Sequence, residues 1–139
     1  MEHIRTAVVA TTTIVCQLCG GYDELIHALI IFVCVDYLTG VARAAYEGRL
    51  DSKVGAWGIV RKVTVFAVVA VANVLDEVLG LGCILRSMTI AFFLSNEGIS
   101  LLGNVAALGV PIPPRLLQTL EGIKDGISNR PDDKKSRKC

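Results

Sequence analysis

Residues Val63 to Leu75 read VTVFAVVAVANVL, a stretch with no charge, one amide and one hydroxyl. Such a run is too apolar for the water-facing side of a soluble helix. It has company along the chain. No charge occurs between Thr6 and Tyr22. Asp36 is the one acid or Lys/Arg base between Leu25 and Ala42, and Glu97 the one between Ser87 and Pro114. Across the 139 residues, 53% are hydrophobic and 19% charged, against about a quarter charged in a soluble domain. Four apolar stretches in so short a chain leave too little polar sequence to coat a water-soluble core. About 20 apolar residues cross a bilayer, and helices are the default because hydrocarbon offers backbone groups no partners.

The expected fold is therefore an all-α integral membrane protein: a bundle of three to four transmembrane helices plus a C-terminal amphipathic helix. The transmembrane domain is expected over 1–110, with spans at about 6–20, 25–42, 63–82 and 87–108. The first run is short and rich in β-branched threonine, so the count rests on it. It lacks a cleavage signature and is expected to be retained. After Pro111 and Pro113, an amphipathic cytoplasmic helix is expected over 111–129, with Leu116, Leu117, Leu120, Ile123 and Ile127 on one face. Residues 130–139 hold Arg130, Lys134, Lys135, Arg137 and Lys138 and read as a basic disordered tail.

Basic residues set orientation. Arg43, Arg49, Lys53, Arg61 and Lys62 gather in the middle segment, and more follow the fourth span, whereas the third connection has only Arg86. The middle segment and the C-terminus are thus expected in the cytoplasm. Within the middle segment, Asp51-Ser52 is suited to cap a short interfacial helix through Val54, Trp57 and Val60, with Trp57 as the headgroup-level anchor.

Polar groups inside spans are expensive and should face other helices or water. Glu97, Ser100 and Asn104 form one stripe on the fourth span. Asn73, Asp76, Glu77 and Gly80 share a face of the third. Asp36, Gly40 and Arg43 lie along one side of the second, where Gly40-x-x-x-Ala44 offers a notch for a neighbouring helix. Asp36, Gly40, Asn73, Asp76, Glu97, Ser100 and Asn104 are the candidate pore or helix-interface residues. Two arrangements fit them. They line a path or an opening interface, or they pair in a static bundle, Asp36 with Arg43 or Arg61, and Glu97 either with Asn73 or neutral.

No catalytic, cofactor-binding or metal-binding set emerges. His3 and His27 lack ligand spacing. Cys16-x-x-Cys19 has no second pair of ligands to complete a zinc site. Bases occur without interleaved aromatics, which argues against nucleic acid.

An ordered series of blocks carries a resemblance: Asp36-Tyr-Leu-Thr-Gly-Val-Ala-Arg-Ala44, Arg49-Leu-Asp-Ser-Lys53, Gly58-Ile-Val-Arg-Lys62, Leu75-Asp-Glu77, Leu85-Arg86, Phe92-Phe-Leu-Ser-Asn-Glu-Gly-Ile-Ser-Leu-Leu102, Asn104 and Leu108-Gly-Val-Pro-Ile-Pro113. From about Asp36 to Lys124 the chain resembles the toxin-secretion/phage-lysis holin family. The resemblance implies a phage or prophage protein of the bacterial cytoplasmic membrane. Such a protein self-associates and opens lesions that release a cell-wall hydrolase, without required direct contact, or a toxin. The matching positions are Asp36, Gly40, Ser52, Lys62, Asp76, Asn96, Glu97, Ser100, Asn104, Pro111 and Pro113, none with a catalytic role. The family pattern leads one to expect a glutamate where Gly103 stands. The expected partners are the lipid bilayer and further copies of the chain. A small proton-coupled multidrug transporter using Glu97, or a membrane anchor for another protein, are the competing readings.

Overall fold

The computed structural model describes residues 1–128, leaving aside the side chains at 12, 15, 16, 127 and 128. The basic tail expected at 130–139, and the side chain of Cys16, lie outside the described residues. Five helices follow in order: α1 (Glu2–Leu18), α2 (Glu24–Tyr46), α3 (Ser52–Leu79), α4 (Ile84–Ala107) and α5 (Pro114–Ser128). The protein is an all-helical, multi-pass membrane protein. Three of the helices, α2, α3 and α4, are long and apolar enough to cross a bilayer. With 17 residues, α1 extends about 25 Å at 1.5 Å per residue, short of the ~30 Å hydrocarbon core. It is not among the three.

Local sequence sets the helix ends. Asp23 caps α2, its carboxylate accepting the Ile26 N–H at 3.0 Å. Asp51 caps α3 through the Lys53 N–H at 2.8 Å. Gly80 terminates α3 in the left-handed conformation, φ +64°, where a side chain would be strained. Pro114 opens α5, a position that needs no backbone N–H. The short interfacial helix expected after Asp51 is not a separate element. Its residues form the first turns of α3, because no glycine–proline signal or unpaired backbone interrupts the run through Arg61-Lys62-Val63. Trp57 remains 68% exposed on those turns.

The N-terminus of α4 is capped from a distance. Cys83 at the N-cap makes no side-chain bond there. The buried Asp76 of α3 does the work instead, accepting the N–H groups of Leu85 (3.0 Å) and Arg86 (2.8 Å). Two first-turn donors of α4 are thereby satisfied by the preceding helix. Asp76→Ala is expected to lower bundle stability by about 1–2 kcal/mol, and Asp76→Asn by less. Denaturant titration followed by helical circular dichroism in detergent checks both.

Helix α4 is the hub. It packs against α2, α3 and α5, while α2 and α3 touch each other little. Ile26, Leu29 and Val33 of α2, Val65 and Val69 of α3, and Ile90 of α4 make the core with Cys19. Outward positions such as Leu38, Val71 and Val78 are exposed and apolar, as lipid-facing surfaces must be. Lipid tails are as apolar as a leucine core, so such a core supplies packing but little hydrophobic drive. The polar ties between helices therefore weigh more here than they would in water.

Helix α1 touches the bundle thinly, along α3. It joins α2 through Gly20 and Gly21, at φ +86° and +96°. A Cβ on Gly20 would run into Asn73 Oδ1 and the Arg86 side chain, so glycine is required on both conformational and steric grounds.

Candidate functional site

The three spanning helices each contribute to one polar cluster. Lys62 of α3 donates to Asp36 of α2 and to Glu97 of α4. Asn104 of α4 donates to Asp36 Oδ1 at 3.2 Å. Asp36 is 5% and Glu97 9% exposed. Their positions match in depth: Asp36 lies ten residues before Tyr46, Lys62 ten after Ser52, and Glu97 ten before Ala107. At the helical rise each is about 15 Å from the end of its helix. That register is the signal by which sequence reasoning could have paired them.

The pairing differs from both expected alternatives for Asp36. Arg43 turns back to Glu47, one helical turn on, at 3.0 Å. Arg61 is exposed. Lys62, outside the candidate set drawn from the polar stripes, is the link. Two carboxylates share its one ammonium, so a negative charge is left over unless a proton joins them. An ammonium flanked by two carboxylates offsets part of the cost of burying each of them at the depth where an isolated charge is most expensive.

Beside the cluster opens a cleft of about 980 Å³ between α2 and α3, with α4 as its floor. Asp36, Gly40, Lys62, Asn96, Glu97, Ser100 and Asn104 line it, with Trp57 and Arg61. Gly40 faces α4, where a Cβ would sit 3.5 Å from Asn104 Nδ2, an ordinary contact that does not by itself require glycine. Ser100 is exposed to the cleft. A Cβ on Gly103 would meet nothing within 4 Å, so a glutamate would fit there, on a different face of α4 from Glu97.

Asn73 and Asp76 do not join this cluster. They sit near the other end of α3. Asn73 donates to Glu77 at 3.1 Å, and Asp76 caps α4. The expected Glu97–Asn73 pair is not formed.

A second polar knot, which sequence reasoning missed, ties that end together. Arg86 is 2% exposed. Its guanidinium donates to the Cys19 carbonyl, to Asp23 Oδ2 at 2.6 Å and to the Gly21 carbonyl at 3.4 Å. The Arg86 hydrogen bond holds the Asp23 carboxyl below its ordinary value of 3.8, outweighing partial desolvation, and the Ile26 N–H adds to the effect. A carboxyl lowered in the folded state stabilises the fold above its unfolded pKa, and that contribution fades as pH falls through the folded value. Asp23 is thus expected to contribute fully at neutral pH and to lose its contribution only below about pH 3.8. Asp23→Asn should flatten that acid limb of a stability-versus-pH curve and leave the neutral-to-alkaline limb parallel to the parent.

Three helices long and apolar enough to cross a bilayer, joined by a buried charge cluster beside an open cleft, define a multi-pass membrane protein with charges held inside its helix bundle. Comparison with known proteins narrows the class. The bacteriophage holin family matches residues 13–125, and the chain belongs to that family. An uncharacterized 14.9 kDa protein in the nagH 3′ region of Clostridium perfringens is 36% identical over 126 residues, covering 90% of this chain and 96% of that protein. The YqxH protein of Bacillus subtilis is 39% identical over 116 residues, 81% of this chain and 82% of its own. A probable holin of Bacillus phage phi105 is 34% identical over 104 residues, 75% of this chain and 77% of the phage protein. No solved structure matches the chain.

Proposed function

We propose that this protein is a holin in action as well as in family: it accumulates in the bacterial cytoplasmic membrane, oligomerises, and opens lesions that release a cell-wall hydrolase or a toxin and so lyse the host. The observation that carries the reading is the Asp36–Lys62–Glu97–Asn104 cluster, buried between three helices of a holin-family chain and flanked by a cleft that nothing within the described residues fills. Polar faces that one copy leaves uncovered in lipid favour association with further copies. In the proposed orientation the end of the bundle that carries Arg43, Arg49 and Lys53 is cytoplasmic. The holin family points to a non-enzymatic membrane protein, and the reading asks for no cofactor, no nucleic acid and no direct contact with the hydrolase. A proton-coupled transporter would need Glu97 free to exchange protons for cations; here Lys62 already occupies it.

Controlled expression in a bacterium that also makes a cytoplasmic cell-wall hydrolase tests this. The expected result is a delay, then abrupt collapse of membrane potential with hydrolase-dependent clearing of the culture. Continued growth with the protein in the membrane would refute it.

A further inference from the structure

The last helix is not free of the bundle. Helix α5 turns back at residues 108–113 and packs along α4. The contact is deep. Gly98 is buried, and a Cβ there would come 2.8 Å from Leu120 Cδ1 and 3.1 Å from Phe32 Cε1. Gly98 lies nine residues before Ala107, about 14 Å along the helix, and is next to Glu97. Leu120 therefore sits at the depth of the charge cluster, well inside the spanning part of α4.

At 100° per residue α5 divides into four sectors, the outermost, away from α4, holding the exposed Arg115, Thr119, Gly122 and Gly126. Leu117, Leu120 and Lys124 are half-buried and lie together on the side that meets α4. Leu116 and Ile123 form an exposed apolar flank. Gln118, Glu121 and Asp125 form an exposed polar flank on the opposite side. Lipid suits the apolar flank. It cannot solvate the carboxylates of Glu121 and Asp125 at that depth, where charge is costly and exposed polar faces meet water or protein. A helix with lipid on one flank and water on the other stands at the edge of an aqueous opening.

We infer that α5 lines the water-filled lesion of the assembled protein, with Gln118, Glu121 and Asp125 toward the lumen and Leu116 and Ile123 toward lipid. This rests on the holin reading above. Gly98 is the seat that lets α5 descend, and the lesion wall is then built from α4 and α5 of neighbouring copies.

The test uses the full chain with its five cysteines replaced by serine and one cysteine returned at 118, 121, 123 or 125. Each carries a fluorophore, in dye-loaded phosphatidylglycerol/phosphatidylethanolamine vesicles. Labels at 118, 121 and 125 should be quenched by iodide. The label at 123 should be quenched more by bromine midway along the acyl chains than by bromine near the headgroup. Adding Gly98→Leu, which displaces Leu120, should shift the 123 label to the shallow bromine class. Shallow quenching at 123 in the parent chain, or polar-flank labels shielded from iodide, would overturn the assignment of α5 while dye release left the holin reading standing. Vesicles that retain their dye would overturn both.

Discussion

Replacing Lys62 by methionine is expected to be the most disruptive single change in the bundle. The side chain is of similar length, so packing is largely kept, but the one ammonium between α2 and α4 is gone. Asp36 and Glu97 then face each other with no cation, buried at 5% and 9% exposure. Removing one member of a buried charge pair typically costs about 3–5 kcal/mol, because the remaining charge keeps its desolvation penalty. The account therefore predicts a loss of that order in denaturant titrations of the detergent-solubilised protein. It also predicts rescue. Lys62→Met combined with Asp36→Asn and Glu97→Gln removes all three charges, and amides can hydrogen-bond to each other and to Asn104. The triple variant should recover at least half of the loss. A single variant as stable as the parent would show that the cluster does not hold the helices together. In expressing cells the single and triple variants should also separate in the timing of potential collapse, since the tie is what keeps α2, α3 and α4 in one arrangement.

Arg86→Ala is expected to have the second-largest effect, at the opposite end of the bundle. Arg86 fastens the α1–α2 turn to α4 through two carbonyls and the Asp23 carboxylate. These acceptors come from residues more than sixty positions away in sequence, so no local structure replaces them. Hydrogen bonds to a charged group contribute about 1.5–3 kcal/mol each, the one to the 44% exposed Asp23 carboxylate at the low end. A net destabilisation of about 3 kcal/mol is predicted for the turn. Cys19 reports it directly. It is 1% exposed, with its thiol donating to the Phe66 carbonyl. In a chain keeping that cysteine alone, 3 kcal/mol corresponds to alkylation faster by a factor on the order of 100. Arg86→Lys keeps the charge but not the planar fork, and should fall between. An unchanged rate in Arg86→Ala would mean that α1 and its turn are held by something other than this knot.

Much of the fold was legible because membrane helices announce themselves by missing charge. The runs around Val63–Leu75, Leu25–Ala42 and Ser87–Leu108 became α3, α2 and α4. Asp51 and the prolines after Val110 marked ends by ordinary backbone chemistry, whereas α3 stops at Leu79, short of the expected 82. The interfacial segment was misjudged because amphipathicity changes along α3 without any break in the helix. The first apolar run had the composition of a span but yields a helix with 17 residues, short for one. The candidate set named Asp36, Gly40, Glu97, Ser100 and Asn104, which the fold brings to one cleft. It also named Asn73 and Asp76, which face the other way along α3 in depth. A helical wheel gives the face and not the height, and height decided this. Adjacent bases divided for a related reason: Lys62 points to the cluster and Arg61, 100° further round, does not. The seat for α5 at Gly98 was invisible, since only the position of Leu120 reveals what the absent side chain makes room for.

The most direct test of the central claim is size-graded release from vesicles containing the purified chain and no other protein. Vesicles are loaded with a small dye and with dextrans up to the size of a cell-wall hydrolase, and release is followed as protein density in the membrane is raised. The account predicts retention at low density, then release of dye and large dextran together above a threshold, with Lys62→Met shifting that threshold. Dextran retained at every density, with the chain verified as membrane-inserted and helical, would contradict it.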